Sequence, residues 1–321
     1  MKTSSSEIES AAALVVTYQP SSDVITNVEA LKDQFGKVFV LDNGSSASSE
    51  PIFEGLRQRG AHVVRLPSNV GIAGALNVGV RRVLAEGYRW VGLFDQDSAV
   101  PPFYLGALRR AYQACPWRAQ IGVLAPEHVA AENPGDAMSR LPVGLACRPV
   151  WTVMSSGSVV WTNVFETVGL FDERLFIDYV DFEFCLRVRL GGYKICRVSG
   201  LRLPHRLGRA RQVGWGPFRR VIRSHPAWRY YYRTRNRVYL YKRYALRLPL
   251  WCIMDAGWLV LDAVKAGLLE EHPLDCFRWT LRGLCDALAG RTGFLVRPPA
   301  TEQHAASQPG HATVDSPDGR R

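Results

Sequence analysis

The chain has 321 residues, of which 47% are hydrophobic, and its formal net charge is +11. This length admits one large or two ordinary domains, and the apolar fraction excludes a chain that is disordered throughout. The excess of basic residues favours an anionic partner, which could be a nucleotide phosphate, a nucleic acid or an anionic membrane surface.

The first third of the chain alternates between short apolar strands and helices. We predict strands over residues 11–18, 37–41, 61–66 and 90–94, and helices starting at 22–23 and over 51–59 and 72–86. Continuous apolar strands separated by helices are typical of a parallel sheet that is covered on both faces. Ligands of such sheets bind at the carboxyl ends of the strands.

The rest of the chain has a less regular pattern. We predict, in order, a strand over 121–126, a loop over 133–149, strands over 151–155 and 158–161, and helices over 182–190, 227–247, 250–270 and 274–288. No acidic residue occurs between Glu183 and Asp255, whereas Arg and aromatic residues are frequent there. This change in composition indicates a separate C-terminal region.

An acidic turn follows the predicted strand 90–94. Asp95 and Asp97 are two carboxylates one residue apart, which suits one hard divalent cation, Mg²⁺ or Mn²⁺, bridging to phosphate oxygens. A solvated turn is the alternative for this short string taken alone, because Asp favours turns. The neighbouring strand 37–41 also ends in an acidic residue, Asp42, which favours a binding site.

Two further turns have features of a nucleotide site. A carboxylate at Asp42, in the sequence Asp-Asn-Gly-Ser, can accept the imide N–H of a pyrimidine base, although a plain turn is the alternative. Residues 69–77 combine glycines with the start of a helix, where the backbone can approach a phosphate. The spacing is not Gly-x-Gly-x-x-Gly, so the dinucleotide-binding motif is absent.

Three carboxylates, Asp178, Asp181 and Glu183, cluster at the start of the helix predicted over 182–190. They either complement the helix dipole or include a general base, which needs a carboxylate near the acceptor. His205 is a candidate metal ligand or phosphate donor, although a lone His is more often a surface or packed residue.

The order of these motifs resembles bacterial family 2 glycosyltransferases of the rhamnosyltransferase branch. The resemblance is carried by VVTYQP, LDNGSS, NVGIAGALNVG, LFDQDS, GLFDERLFIDYVDFE, PHRLG and YYYRTRN, and it covers residues 12–242. It implies a GT-A fold, an α/β nucleotide-sugar-binding domain whose mostly parallel sheet has helices on both faces. It also implies inverting transfer of L-rhamnose from dTDP-L-rhamnose to a lipid-linked saccharide or glycolipid.

The resemblance further implies roles for individual residues. Asp42 matches the base-binding Asp, and Asp97 is the stronger candidate for direct metal contact. Asp181 matches the Asp that acts on the acceptor hydroxyl, while Val180 replaces the Glu that many relatives have before it. The implied set is a catalytic base at Asp181, nucleotide-binding residues at Thr17, Asp42, Asn69, Gly71, Asp95 and Arg235, and Mg²⁺ or Mn²⁺ ligands at Asp95, Asp97 and His205.

The predicted domain organisation combines the resemblance with the change in composition. It comprises a flexible N terminus at 1–10, a GT-A catalytic domain at 11–215 (nucleotide-binding part 11–126, acceptor and catalytic part 127–215), a basic-aromatic helical region at 216–296 and a disordered tail at 297–321.

We expect a cytoplasmic protein attached peripherally to the cytoplasmic face of the inner membrane. Its seven cysteines include no Cys-x-x-Cys pair, which argues against a zinc site and favours reduced thiols. Basic and aromatic residues of the acid-free stretch suit an anionic headgroup region, whereas Asp255, Asp262 and Lys265 oppose insertion across the membrane. Packing of these helices on the catalytic domain is the alternative.

Two other functions compete with rhamnosyl transfer. One is transfer from a UDP-sugar by an enzyme of the same fold, which the sequence does not separate cleanly. The other is nucleic-acid binding by the basic, aromatic C-terminal third, since aromatic residues among Arg can stack on bases. The ordered acidic turns and the absence of RRM, KH and zinc-finger signatures argue against a nucleic-acid partner.

Overall fold

A computed structural model of the chain describes residues 10–130, 144–205, 209–213, 220–224, 226–270 and 272–294. The strands are β1 (Ala11–Thr17), β2 (Lys37–Asp42), β3 (His62–Arg65), β4 (Trp90–Asp95), β5 (Ile121–Ala130), β6 (Ala146–Pro149), β7 (Ser158–Trp161), β8 (Lys194–His205), β9 (Arg209–Val213) and β10 (Arg220–Ser224). The helices are α1 (Asp23–Lys32), α2 (Glu50–Gln58), α3 (Gly71–Ala85), α4 (Tyr104–Ala114), α5 (Thr162–Val168), α6 (Val180–Leu190), α7 (Trp228–Tyr244), α8 (Pro249–Leu268) and α9 (Pro273–Leu288).

The first eight strands form one mixed, mostly parallel sheet in the order β3-β2-β1-β4-β7-β5-β8-β6, and β9 pairs with β10 in a separate antiparallel hairpin. Strands β3, β2, β1 and β4 are parallel, whereas β7 runs antiparallel to both of its neighbours, β4 and β5. The parallel half therefore gathers the carboxyl ends of its strands at one edge, as the α/β pattern predicts.

Both faces of the sheet are covered. All seven residues of β1 are buried. Alternate side chains enter different cores: Leu14 and Val16 pack with residues of α3 and α6, while Ala13 and Val15 pack with residues of α1, α2 and α4. Burial on both faces explains why these strands are continuously apolar rather than alternating.

Several sequence predictions need correction. The segment 133–149, predicted as a loop, ends in strand β6, while residues 131–143 lie outside the described part. The segment 151–155 is not a strand; its residues Val153, Met154 and Ser155 line a pocket beside α6. The predictions for the tail at 297–321, for most of the N-terminal segment 1–10 and for a domain boundary at 215 concern residues outside the described ranges.

The three predicted C-terminal helices are present as α7, α8 and α9, and α7 packs its aromatic residues inward. Tyr231 and Tyr232 are completely buried and Tyr230 is nearly so. Side chains in these positions cannot stack on the bases of a nucleic acid, which removes the main support for that alternative. Among the described residues, no helix is long and apolar enough to cross a membrane.

Candidate active site

The carboxyl ends of three parallel strands bring the predicted nucleotide-site residues to one edge of the sheet. Thr17 at the end of β1 is in register with Asp42 at the end of β2, and Val16 is in register with Asp95 at the end of β4. Thr17 and Asp42 are buried, whereas Asp95 is partly exposed. The acidic turns predicted at Asp42 and Asp95 therefore flank the end of β1.

The turn after β4 is fixed by its middle residue. The Gln96 side-chain oxygen accepts the Tyr18 amide at 2.8 Å, and the Gln96 carbonyl accepts Asn27 Nδ2 at 2.9 Å. The side chains of Asp95 and Asp97 on either side are partly exposed. Among the described residues, none forms a hydrogen bond or ion pair with the Asp97 carboxylate. Its oxygens are therefore available to an external ligand.

A third predicted metal ligand, His205, is the last residue of β8, and its side chain lies outside the description. Within the described ranges, no group of three or more His, Cys, Asp or Glu side chains forms a metal site. Asp95 and Asp97 are the two predicted ligands whose side chains the structure describes, and their contact with a cation stays a prediction.

Asp42 organises the turn that follows β2. Its side chain is completely buried, and its carboxylate accepts the Ser45 amide at 3.1 Å and Arg65 Nε at 2.8 Å. The Ser45 hydroxyl also donates to it. Arg65 in turn donates to the Ser45 carbonyl at 2.9 Å. The described contacts of Asp42 thus hold the turn, and its direct contact with a base stays a prediction.

Asn69 and Gly71 connect the turn after β2 with residues 176–183, which contain Asp178, Asp181 and Glu183 and which we call the acidic loop. Asn69 Oδ1 accepts Asn43 Nδ2 at 3.1 Å and the Gly71 amide at 2.9 Å. Gly71 has a φ of +81°, and a Cβ there would lie 2.5 Å from Phe176 Cδ2, so only glycine fits. The Ile72 amide donates to the Phe176 carbonyl at 2.8 Å. Both residues support the architecture of the site, and their contact with a nucleotide stays a prediction.

The backbone before α6 is strained. Phe176, Asp178 and Tyr179 have positive φ angles of 63°, 59° and 65°, a conformation that non-glycine residues keep only when their surroundings enforce it. Asn236 of α7 supplies that enforcement, since its Nδ2 donates to the carbonyls of Leu175 at 2.9 Å and of Ile177 and Asp178 at 2.7 Å.

Arg235 does not occupy a phosphate-binding position, which corrects the sequence prediction. Its side chain is 1% exposed. Its guanidinium donates to the carbonyls of Gly293 at 2.6 Å, Leu175 at 3.0 Å and Arg174 at 3.2 Å. It also lies 4.9 Å from the ring centroid of Tyr232. Because backbone carbonyls and aromatic rings surround the guanidinium, Arg235 is a structural residue that holds the acidic loop on α7.

Asp181 lies in the first turn of α6, partly exposed, in a narrow pocket that Met154 and Ser155 also line. The pKa of its carboxyl is raised to about 7, mainly because burial desolvates it. The Phe182 amide, 2.9 Å from Oδ1, lowers this pKa, whereas the charges of nearby acidic groups, Asp95 among them, raise it. A carboxyl with this pKa can accept a proton near neutral pH.

Arg229, which the sequence analysis did not single out, pairs with another carboxylate of this loop. Its Nη2 lies 2.6 Å from Asp178 Oδ1 and its Nε lies 3.1 Å from Asp178 Oδ2. The Asp178 charge raises the pKa of Arg229 most strongly, and the charges of Asp95 and Asp181 also raise it. Among the described residues, Arg229 is therefore a cation within electrostatic reach of Asp95, at the end of β4, and of Asp178 and Asp181 in the acidic loop.

Glu183, the third carboxylate of the loop, is completely buried and points away from the pocket. Its carboxylate accepts Arg187 Nη2 at 2.8 Å and the Tyr244 hydroxyl at 2.7 Å. Asp178 is thus bound to Arg229 and Glu183 is enclosed, whereas Asp181 lines the pocket; the role of Asp181 as a general base stays a prediction.

Comparison with known proteins shows what the chain is similar to. Residues 13–116 match the family model of Glycosyl transferase family 2. A Shigella flexneri protein named dTDP-rhamnosyl transferase RfbF is 27% identical over 290 residues, which are 88% of this chain and 96% of that protein. The solved mannosyltransferase PcManGT of Pyrobaculum calidifontis is 15% identical and superposes with a TM-score of 0.52 over 92% of this chain and 78% of that one.

These findings define the class of protein. The chain has a GT-A fold, with a mostly parallel eight-stranded sheet, flanking helices and C-terminal helices. Its residues 13–116 match glycosyl transferase family 2, and together with the similar Shigella flexneri protein this match indicates a glycosyltransferase.

Proposed function

We propose that this glycosyltransferase moves L-rhamnose from dTDP-L-rhamnose to a hydroxyl of a lipid-linked saccharide or glycolipid, with inversion at the anomeric carbon. The observation that carries this proposal is the Asp181 carboxyl. Burial raises its pKa to about 7, and it lies within electrostatic reach of Asp95 at the end of β4. The Shigella flexneri relative supports the choice of donor, because the similarity covers nearly the whole of both chains.

The chemistry that these residues support is a single displacement. Asp181 accepts the proton of the acceptor hydroxyl while the hydroxyl oxygen forms its bond to the anomeric carbon. The bond from that carbon to the diphosphate oxygen breaks, and its electron pair leaves with dTDP. One base suffices for this step, whereas a glycosidase needs two carboxylates.

The carboxylates of Asp95 and Asp97 fit a divalent cation. They are hard oxygen ligands, and the described chain offers no third ligand at the site, which leaves positions for diphosphate oxygens. PcManGT, which shares the fold, was solved in complex with GDP-Man and Mn²⁺. We therefore propose Mg²⁺ or Mn²⁺ as the cofactor. When bound, such a cation stabilises the charge of the departing diphosphate.

On the donor side, we assign recognition of the pyrimidine base to the turn that Asp42 holds. We assign Thr17, Asn69 and Gly71 to the same nucleotide-binding region. Arg229 replaces Arg235 as the proposed cation near the diphosphate. Support comes from the arrangement of these residues around the ends of β1, β2 and β4.

Asp42→Ala should raise the Michaelis constant for the donor about 10- to 100-fold and lower kcat less. The variant loses the acceptor for Ser45 and Arg65, and this loss affects donor binding before and during the reaction equally. Steady-state kinetics with varied donor test this, and thermal unfolding checks that the variant is folded. An unchanged Michaelis constant with a reduced kcat would refute the assignment.

The pH dependence should report Asp181. Only the ionised carboxylate accepts a proton, so log kcat/KM should rise with a slope of about 1 below pH 7 and level off above it. The inflection should lie near 7, the raised pKa of Asp181. Initial rates at subsaturating substrate between pH 5 and 9 check this. An inflection near 4, the ordinary value for Asp, would contradict it.

The proposal includes peripheral attachment to the cytoplasmic face of the inner membrane, where a lipid-linked acceptor would be presented. One observation supports it, the basic, acid-free stretch from Phe184 to Met254.

A donor panel tests the proposed specificity. The purified protein is incubated with dTDP-L-rhamnose, UDP-GlcNAc, UDP-glucose or GDP-mannose, each with Mg²⁺ or Mn²⁺, and release of the nucleoside diphosphate is measured. We expect the highest rate with dTDP-L-rhamnose. A clear preference for a UDP-sugar would establish the alternative donor, and no turnover together with salt-sensitive RNA binding would contradict the transferase proposal.

A further inference from the structure

Helix α8 directs its charged side chains into the protein rather than toward solvent. Arg237 pairs with Asp255 at 2.9 Å and with Asp262 at 3.1 Å, and Lys265 Nζ lies 3.4 Å from Glu270 Oε1. Asp255, Asp262 and Lys265 are the only charged residues of α8. The sequence analysis interpreted them as opposing insertion across the membrane, and in the structure charged residues of opposite sign pair with them.

The opposite face of α8 is apolar and exposed. Ile253 is 70% exposed, Trp258 63% and Leu268 77%. A helix on a water-exposed surface normally has the reverse arrangement, with its charged residues outside. The large apolar side chains of this outer face are Leu250, Ile253, Met254, Trp258, Val260, Leu261, Val264 and Leu268.

Helix α9, which contacts α8, carries a second exposed apolar surface. Its exposed large apolar residues recur at intervals of three and four, so they lie along one face of the helix. Its inner side packs closely on α7, since a Cβ at Gly283 would lie 2.5 Å from the Tyr231 carbonyl oxygen. The exposed residues of α9 are Leu274, Phe277, Leu281, Leu284 and Leu288, and with the outer face of α8 we call them the α8–α9 face.

The charges around the α8–α9 face are unevenly distributed. Acidic side chains of this region turn inward: Glu270 accepts the Tyr230 hydroxyl and Asp286 accepts the Tyr231 hydroxyl, each at 2.9 Å. Among the described residues from 242 to 294, Asp275 is the most exposed acid, with half of its side chain accessible, whereas the side chain of Asp262 is 20% exposed. The exposed basic residues are Lys242, Arg243, Arg247, Arg278, Arg282 and Arg291.

The exposed basic residues named above are the basic rim of the α8–α9 face. An apolar surface with such a rim fits an anionic lipid surface better than it fits a second copy of this chain. Large exposed apolar patches mark sites of protein or membrane interaction. Two copies of a chain with a net charge of +11 would bring their basic rims together at such an interface, which is repulsive. Anionic headgroups would attract the same rim, and the acyl boundary would accept the apolar side chains.

We propose that the α8–α9 face inserts into the boundary between headgroups and acyl chains of an anionic bilayer, with both helices lying in the plane of the membrane. Apolar insertion then provides most of the attachment, and the basic rim selects anionic lipid.

The same helix connects this face with the candidate active site. The Tyr179 hydroxyl donates to Asp255 Oδ1 of α8 at 3.0 Å, and Tyr179 lies two residues before Asp181. Docking through the opposite side of α8 would therefore keep the acidic loop close to the membrane. That this position brings the acidic loop near a lipid-linked acceptor rests on the proposed function, whereas the docking itself does not.

Flotation with liposomes tests the docking without any donor or acceptor. The full chain is mixed with vesicles of phosphatidylcholine alone or with phosphatidylglycerol, and the fraction that floats is measured at low and high salt. We expect flotation only with the anionic vesicles, and less of it at high salt. The double variant Trp258→Gln/Leu261→Gln should reduce partitioning about tenfold or more.

The matched control is Leu190→Gln, which changes an apolar side chain that is 42% exposed on α6. It should float like the unmodified protein, and circular dichroism should show all variants folded. Equal flotation of the double variant and the control would overturn the proposal. The proposal would also be overturned if the unmodified protein does not float with anionic vesicles but sediments as a dimer, and the double variant sediments as a monomer.

Discussion

Replacing Asp181 with asparagine should lower the rate of transfer by about 10²- to 10⁴-fold, the usual cost of losing a general base. Asparagine has the size of aspartate and can still accept the Phe182 amide, so α6 should keep its first turn. Donor affinity should be nearly unchanged, because the described contacts of Asp181 are with its own helix and not with the turns after β1 and β2. Single-turnover rates together with donor titration measure both quantities.

Asp33→Asn is the matched control, because Asp33 is an exposed carboxylate just after α1. It should leave both the rate and the affinity unchanged. If Asp181→Asn keeps near-normal turnover, the base assignment is wrong. Asp178 would then be the next carboxyl to test, since Glu183 is enclosed by Arg187 and Tyr244.

Asp97→Ala should abolish transfer, with a loss of about 10³-fold or more, and leave the fold intact. The loss is expected because a divalent cation at such a site contributes several kcal/mol to stabilising the departing charge. The fold should survive because none of the described residues hydrogen-bonds to the Asp97 carboxylate, so its removal leaves no buried donor without a partner.

Chelation provides an independent test of the same site. Excess EDTA should stop transfer by the unmodified protein, and added Mg²⁺ or Mn²⁺ should restore it. The thermal unfolding midpoint of Asp97→Ala should match that of the unmodified protein without metal. Transfer that persists in excess EDTA, or in the Asp97→Ala variant, would show that Asp95 and Asp97 do not hold a required cation.

The parallel half of the sheet could be predicted from sequence because its strands carry a strong local signal. Strands such as β1 are buried on both faces, so they appear as continuous apolar runs bounded by turns. Helix α4 was missed although its buried residues Tyr104, Leu108 and Tyr112 follow a helical spacing. In this case the signal was present, and Pro101–Pro102 marks where the helix could begin.

Strand β8 was harder to predict, because its local pattern is interrupted. Its pairing with β5 shifts register between Ala125 and Glu127, and Gly200 has a φ of +85°. A bulge of this kind breaks the alternation of buried and exposed residues on which a strand prediction depends. The residues 151–155 show the opposite case: the pattern predicts a strand there, but Val153, Met154 and Ser155 line the pocket of Asp181 outside any strand.

Long-range contacts decide the rest of the candidate site. Arg65 could have been anticipated, because it ends β3 in register with Asp42. The roles of Arg229, Arg235 and Asn236 could not, since they depend on how α7 packs against the loop before α6. The sequence places basic residues in this helix, but only the fold shows which one reaches the acidic residues.

The most direct test of the account is transfer of labelled sugar. The unmodified protein, Asp97→Ala and Asp181→Asn are each incubated with radiolabelled dTDP-L-rhamnose, Mg²⁺ or Mn²⁺ and a bacterial membrane extract, and the label that enters the organic phase is counted. The account predicts time-dependent incorporation by the unmodified protein, and almost none by either variant. Equal incorporation by all three proteins, or none by the unmodified protein with any nucleotide sugar, would contradict it.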